Sequence, residues 1–84
     1  MKHATSAALE GLSGLLDEIR KRDGLKEKKF GIFYRKSKSF LHFHEDPAGL
    51  FADLGAGSGF TRHPVNTPRE RKALLSALDL ALKS

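Results

Sequence analysis

The sequence predicts a mixed α+β domain: a two-layer sandwich of order α-β-β-β-(β)-α, with two helices packed on one face of a small antiparallel sheet. Three observations predict it. Leu9, Leu12, Leu16 and Ile19 recur at helical spacing early in the chain. The run FGIFYRKSKSFLHFHE, residues 30–45, alternates in the manner of a strand pair. A second helical stripe, Leu74, Leu75, Leu78, Ala81 and Leu82, follows a marked helix start at Thr67. Periods of 3.6 and 2 distinguish helix from strand because they decide which side chains share a face.

The first helix is expected over about 6–22. Asp17–Lys21 and Glu18–Arg22 are favourable i,i+4 pairs, and Gly24 suits a left-handed stop after the last turn. Gly11 and Gly14 weaken the helix by about 1 kcal/mol each relative to alanine. Strands are expected over about 29–35, 39–45 and 50–54, with a further edge strand over 59–63. A two-residue loop, Lys36-Ser37 or Ser37-Lys38, joins the first two. Either loop puts Phe30, Ile32, Tyr34, Leu41 and Phe43 on the helix-covered face; the turn lacks the Asn-Gly signature, which leaves open a longer loop that changes this parity. Gly31, Phe33, Arg35, Phe40, His42 and His44 then lie on the open face, with Phe51 beside them. Asp46-Pro47-Ala48-Gly49 reads as a turn. The second helix spans about 68–82. Thr67 is its N-cap, Pro68 its first residue and Glu70 the third, the spacing of a capping box.

The chain has 84 residues, which suits a single domain, 1–84. A domain of this size buries roughly 60–65% of its unfolded surface and is stable by a few kcal/mol. With no cysteine, neither a disulfide nor a thiolate metal site supplements the core. The apolar positions of the first 20 residues are interrupted by Glu10, Asp17 and Glu18, unlike the unbroken segment of a secretion signal. No stretch approaches the roughly 20 apolar residues of a membrane span. A cytoplasmic location and no membrane partner are expected. The net charge is +5, unevenly spread. Arg20 to Lys38 holds nine basic residues against Asp23 and Glu27, a local balance of +7. Such a pole attracts phosphates or an acidic protein. It equally describes a solvated helix end and a charged sheet edge.

Three motifs bear on chemistry. DLGAGSG, residues 53–59, resembles the first motif of Rossmann-like methyltransferases. Its context differs: Pro64, Thr67 and Pro68 follow where a helix should open, and no βαβ units precede it. It reads as a turn between strands, and no cofactor is expected. HFHED, residues 42–46, resembles the HxHxD core of metallo-β-lactamase-type hydrolases. On a strand His42 and His44 share a face, a common metal-pair spacing. Asp46 joins them if the strand continues, and Asp53 and His63 are candidate third ligands. No serine lies in a nucleophile elbow, and Glu45 and Asp46 point apart on an extended chain, so no catalytic residues are expected. Finally, KKFGIFYRK interleaves aromatic and basic residues, the composition of surfaces that stack bases and hold phosphates.

The segment FGIFYRKSKSFLHFHEDPAGLFADLG, followed by Phe60, Val65 and the capped helix, resembles small uncharacterised bacterial proteins of about this length. The element order is also loosely similar to the MmcQ/YjbR-type double-wing proteins, a likeness that implies DNA binding and assigns no site residues. The expected function is a non-enzymatic binding module. Its surface is the open face (Phe33, Phe40, His42, His44, Phe51) with a basic rim (Arg20, Lys21, Arg22, Arg35, Lys36, Lys38), and its partner an acidic protein or nucleic acid. Alternatives are a metal or small-ligand site at His42, His44 and Asp46, or a structural homodimer.

Overall fold

A computed structural model describes residues 2–56 and 59–83. The tip of the glycine-rich turn, Gly57 and Ser58, lies outside the described residues. The described residues form a mixed α+β fold of six strands and three helices. In order these are β1 (Lys2–His3), α1 (Ser6–Glu10), α2 (Ser13–Arg20), β2 (Lys26–Lys29), β3 (Ile32–Arg35), β4 (Lys38–Asp46), β5 (Gly49–Ala56), β6 (Gly59–Pro64) and α3 (Pro68–Leu82). The sheet is antiparallel in the order β2-β3-β4-β5-β6, and β1 pairs with β4. Along one edge of β4, β3 takes the first half and β1 the second.

One buried cluster holds the elements together. Leu9, Leu12, Leu15, Leu16 and Ile19 from the N-terminal helical segment and Leu74 and Leu78 from α3 meet Phe33, Leu41, Phe43, Ala52, Leu54 and Val65. Full burial of a Leu, Ile or Phe side chain stabilises by about 1.5–3 kcal/mol, so this cluster is the main favourable term.

The sequence predicts one helix over 6–22; the chain forms two. The Leu12 amide bonds the Leu9 carbonyl at 2.9 Å, a tight turn at Gly11 that re-aims the axis. Leu9, Leu12 and Leu16 all remain buried across the break. α1 is capped by the Thr5 hydroxyl, which accepts from the Ala8 amide at 3.2 Å. α3 carries the reciprocal capping box between Thr67 and Glu70. Its last turn receives Arg35, whose guanidinium donates to the Ala81 and Leu82 carbonyls at 3.0 and 3.1 Å. A cation at the negative end of a helix is favourable.

The predicted strand over 29–35 is two strands, with Phe30 and Gly31 turning between them. Phe30, assigned to the covered face, is instead 42% exposed at this turn. The next turn is Lys36-Ser37, with φ of 53° and 69°, the left-handed pair that suits a two-residue hairpin. The facing of β3 departs from expectation. Tyr34 opposes Ser39 but Phe33 opposes Leu41, so Phe40 is an extra, bulged residue. The bulge moves Phe33 from the expected open face into the core, where it is 1% exposed. Burying Phe33 gains about 2–3 kcal/mol, whereas a ladder hydrogen bond is worth about 1 kcal/mol net, so the bulge is favoured.

Two tight contacts fix the outer strands. Gly31 has φ +76°, and a Cβ there would lie 2.7 Å from Leu9 Cδ2. Glu27 accepts from Arg20 Nε at 2.6 Å and Nη2 at 3.0 Å, and from the Gly31 amide at 2.9 Å. Arg20 holds the Glu27 carboxyl below its usual range, assisted by the Gly31 N–H and opposed by partial burial.

Gly31→Ala combines left-handed strain with displacement of Leu9 and is expected to cost about 2 kcal/mol or more, measured by urea denaturation. Glu27 supplies a pH-dependent share of stability. Its folded pKa lies below the ordinary 4.5, so its contribution is complete above that pH and fades as pH falls toward the lowered value. Glu27→Gln should therefore lower the urea midpoint at about pH 7 and lose less than the parent on acidification to about pH 3; equal acid sensitivity of the two proteins would refute this role.

Candidate metal centre

Alternation along β4 turns Leu41 and Phe43 into the core and His42 and His44 to the opposite face. Register then assembles their neighbours. Asp53 of β5 lies opposite His42, Phe51 opposite His44, and Arg62 of β6 opposite Asp53. From the other edge, β1 places His3 opposite His44. The rings of His3 and His44 stack with centroids 5.0 Å apart, and His42 meets His44 edge-on at 4.9 Å. Each of the three histidines offers a ring nitrogen within 4.8 Å of the other two. Phe60, 5.1 Å from His42, flanks the group.

The electrostatics of this face are organised by Asp53. Its side chain is only 9% exposed, yet it lies on the face away from the core. Arg62 donates to both carboxylate oxygens, at 2.8 and 3.0 Å. This bidentate contact holds the Asp53 carboxyl below its usual range, against the opposing push of burial. Asp53 Oδ2 also lies 3.1 Å from Nε2 of His44. An ionised carboxylate can only accept, so it fixes the His44 proton on Nε2.

Two consequences follow for the imidazoles. The Nε2–H of His44 also faces Nδ1 of His42 at 2.9 Å, so that nitrogen is the accepting one. Nδ1 of His44 is buried and has no hydrogen-bond partner among the described residues. Orphaned buried acceptors are uncommon and costly. Burial pushes the pKa of His42 down, with His44 and His3 acting in the same sense and Asp53 against it.

The metal set expected from sequence is altered. Asp46 does not join His42 and His44: its carboxylate accepts from the Ala48 amide at 2.6 Å and organises the β4–β5 turn. His63 lies opposite Ala52 and contacts the Thr61 hydroxyl at 2.9 Å, away from the cluster. His3 takes the third position. Nothing in the sequence announces it, because β1 is two residues long and shows no alternation.

The wider binding surface is also redistributed. Phe33 leaves it for the core. Phe40 is half-buried, lies under Arg35 at 5.4 Å and packs on Gly55, and Phe51 is half-buried beside His44. Most of the predicted basic rim is engaged internally. Arg20 binds Glu27 and Asp17, Lys21 binds Glu18, and Arg22 binds Asp79 and the Glu18 carbonyl. Arg35 caps α3. Lys36 and Lys38 are exposed at the β3–β4 turn. The segment likened to a methyltransferase motif runs as strand from Asp53 to Ala56, and Gly59 opens β6, paired back to Ala56; no helix follows the glycines. No helix among the described residues is long and apolar enough to cross a membrane. No family model, curated protein or solved structure matches the chain.

Proposed function

We propose that this chain is a non-enzymatic domain that binds a divalent transition metal of the zinc class through His3, His42 and His44. The observation that carries this reading is the buried, unpartnered Nδ1 of His44, whose Nε2 is held by Asp53. A metal-ligating histidine commonly donates its other ring N–H to a carboxylate, which fixes the tautomer and raises ligand basicity. Neutral imidazoles without thiolates suit zinc, copper, nickel and cobalt ions. Ligands on one tetrahedral ion at about 2.0–2.1 Å lie about 3.3 Å apart, and one nitrogen from each of the three rings lies within 4.8 Å of the others, so convergence on an ion requires the side chains to move. The described acid and base beside the trio, Asp53 and Arg62, are committed to each other, which supports a binding role over a catalytic one. The reading takes the protein as two layers, with the helices over the Leu41–Phe43–Leu54 face and the histidine face uncovered. That arrangement is supported by the helical residues of the core and by the 51% exposure of Phe60.

A second surface favours an anionic partner, nucleic acid or an acidic protein. Lys26, Lys28 and Lys29 on β2 and Lys36 and Lys38 at the neighbouring turn form no ion pair among the described residues, unlike Arg20, Lys21 and Arg22. Lys28 instead lies 4.6 Å from the Tyr34 ring centroid.

Titration calorimetry should detect one zinc per chain. His42→Ala/His44→Ala should abolish binding, and Asp53→Asn should weaken it by about 10- to 100-fold. No binding by the parent chain, or equal binding by the double histidine variant, would sink the proposal. For the lysine surface, affinity for single-stranded nucleic acid should fall linearly with salt in logarithmic form. The slope should shrink by roughly 1.5 in Lys36→Ala/Lys38→Ala; a flat salt dependence would exclude phosphate contacts.

A further inference from the structure

The three histidines are held with very different firmness. His42 and His44 sit within β4, which is paired to β5 through six successive residue pairs from Leu41 to Asp46. His3 belongs to a two-residue strand whose residues are both exposed, and in the sheet it pairs with β4 alone. Two further backbone contacts attach this segment: the Ala4 amide donates to the Phe43 carbonyl at 3.1 Å, and the Thr5 amide to Glu45 Oε1 at 2.6 Å. Segments with few buried contacts open locally at a small free-energy cost, well before the core unfolds.

The attachment point has a structural consequence. Thr5 is the N-cap of α1, so the residue tied to Glu45 also sets where that helix begins. α1 in turn carries Leu9, whose side chain fills the space left by Gly31. Docking of β1 is therefore continuous with α1 and with the core contact that holds the β2–β3 turn. Without an ion, the His3 ring rests on His44 by stacking. An ion bound by all three nitrogens would replace that stack with coordinate bonds between the short, exposed β1 and the well-paired β4.

We infer that metal binding at His3, His42 and His44 acts as a clasp that fastens the N-terminal β1–α1 junction to the middle of the sheet. The inference rests on the metal-binding reading above and adds to it a coupling between occupancy and segment docking. An ion that requires His3 in place binds only the docked form. It shifts the docking equilibrium by its differential affinity for the two forms, and undocking lowers the metal affinity by the same factor. Because Glu45 receives the Thr5 amide from the core-side parity of β4, and His44 receives His3 from the opposite side, the segment is gripped on both faces of one strand. A partner that recognises the N-terminal segment, or a protease that cuts it, would thus read the metal state of the domain.

The test is amide hydrogen exchange on the full chain, with and without zinc, alongside calorimetry on the same samples. Zinc should slow exchange at Ala4 and Thr5 by about 5- to 150-fold, the range of ordinary coupling between sites. The Lys83 amide at the end of α3, bonded to the Leu80 carbonyl, should keep its rate. His3→Ala, a change at an exposed residue, should still fold, bind zinc more weakly through His42 and His44, and show no zinc-dependent slowing at Ala4 or Thr5. Zinc binding with unchanged exchange at these amides, or the same slowing in His3→Ala, overturns the clasp and leaves the site standing. Absence of zinc binding overturns the site and the clasp together.

Discussion

Side chains alternate along β4, and this constraint governs where the other elements can go. Leu41 and Phe43 point to one side and join the buried cluster to which Leu9, Leu16, Ile19, Leu74 and Leu78 of the helices contribute. His42 and His44 must then point to the other side. Every strand that pairs directly with β4 inherits this parity. β5 brings Ala52 and Leu54 to the core and Asp53 to the histidines. β1 delivers His3 in register with His44. β3 also obeys it, through the bulge at Phe40 that restores Phe33 to the apolar side. A one-residue slip in β4 would exchange core and site completely, so the same hydrophobic energy that stabilises the fold specifies the histidine cluster.

The charges show a comparable division of labour. The sequence carries a strongly basic stretch, yet its arginines are used inside the molecule. Arg20 ties α2 to β2, Arg22 ties α2 to α3, and Arg35 finishes α3. The Arg22 and Arg35 contacts join elements distant in sequence in a chain without disulfides. Surface ion pairs contribute about 0–1 kcal/mol each, so their main effect is on geometry. Arg62 differs because its partner is buried. Removing Asp53's counter-ion would leave a desolvated carboxylate, which costs far more than an exposed pair yields. The surviving free charge is lysine, concentrated on β2 and the hairpin tip, where it also discourages edge-to-edge association.

Much of this was legible in the sequence, and the exceptions have definite causes. The capped start of α3, the hairpin, the turn at Asp46 and the shared face of His42 and His44 follow from local rules that need only a few neighbouring residues. The break at Gly11 was visible only as weakened propensity; core packing of Leu12 decided it. The bulge at Phe40 was not readable, because both loops keep parity and only the gain from burying Phe33 favours an extra residue. Arg35 and Arg22 read as rim charges because their partners, the end of α3 and Asp79, are remote. Asp53 drew notice as the acid before a glycine motif and as a candidate third ligand, whereas its contacts with Arg62 and His44 come from cross-strand neighbours. His3 gave no signal at all, since a two-residue strand has no period.

That omission bears on why the metal reading differs from a His-x-His pair alone. Two histidines on one strand are frequent, and stacking between neutral imidazoles requires no ion. What separates this face is the third imidazole from another strand, combined with a buried carboxylate that assigns the proton on His44. The arrangement leaves a lone pair where no internal donor reaches it. Leaving a buried acceptor unsatisfied costs about 1–3 kcal/mol. The proposed cation would answer these features together: it would bind Nδ1 of His44, use the Nε2 contact to Asp53, and draw His3 to the strand that holds its partners.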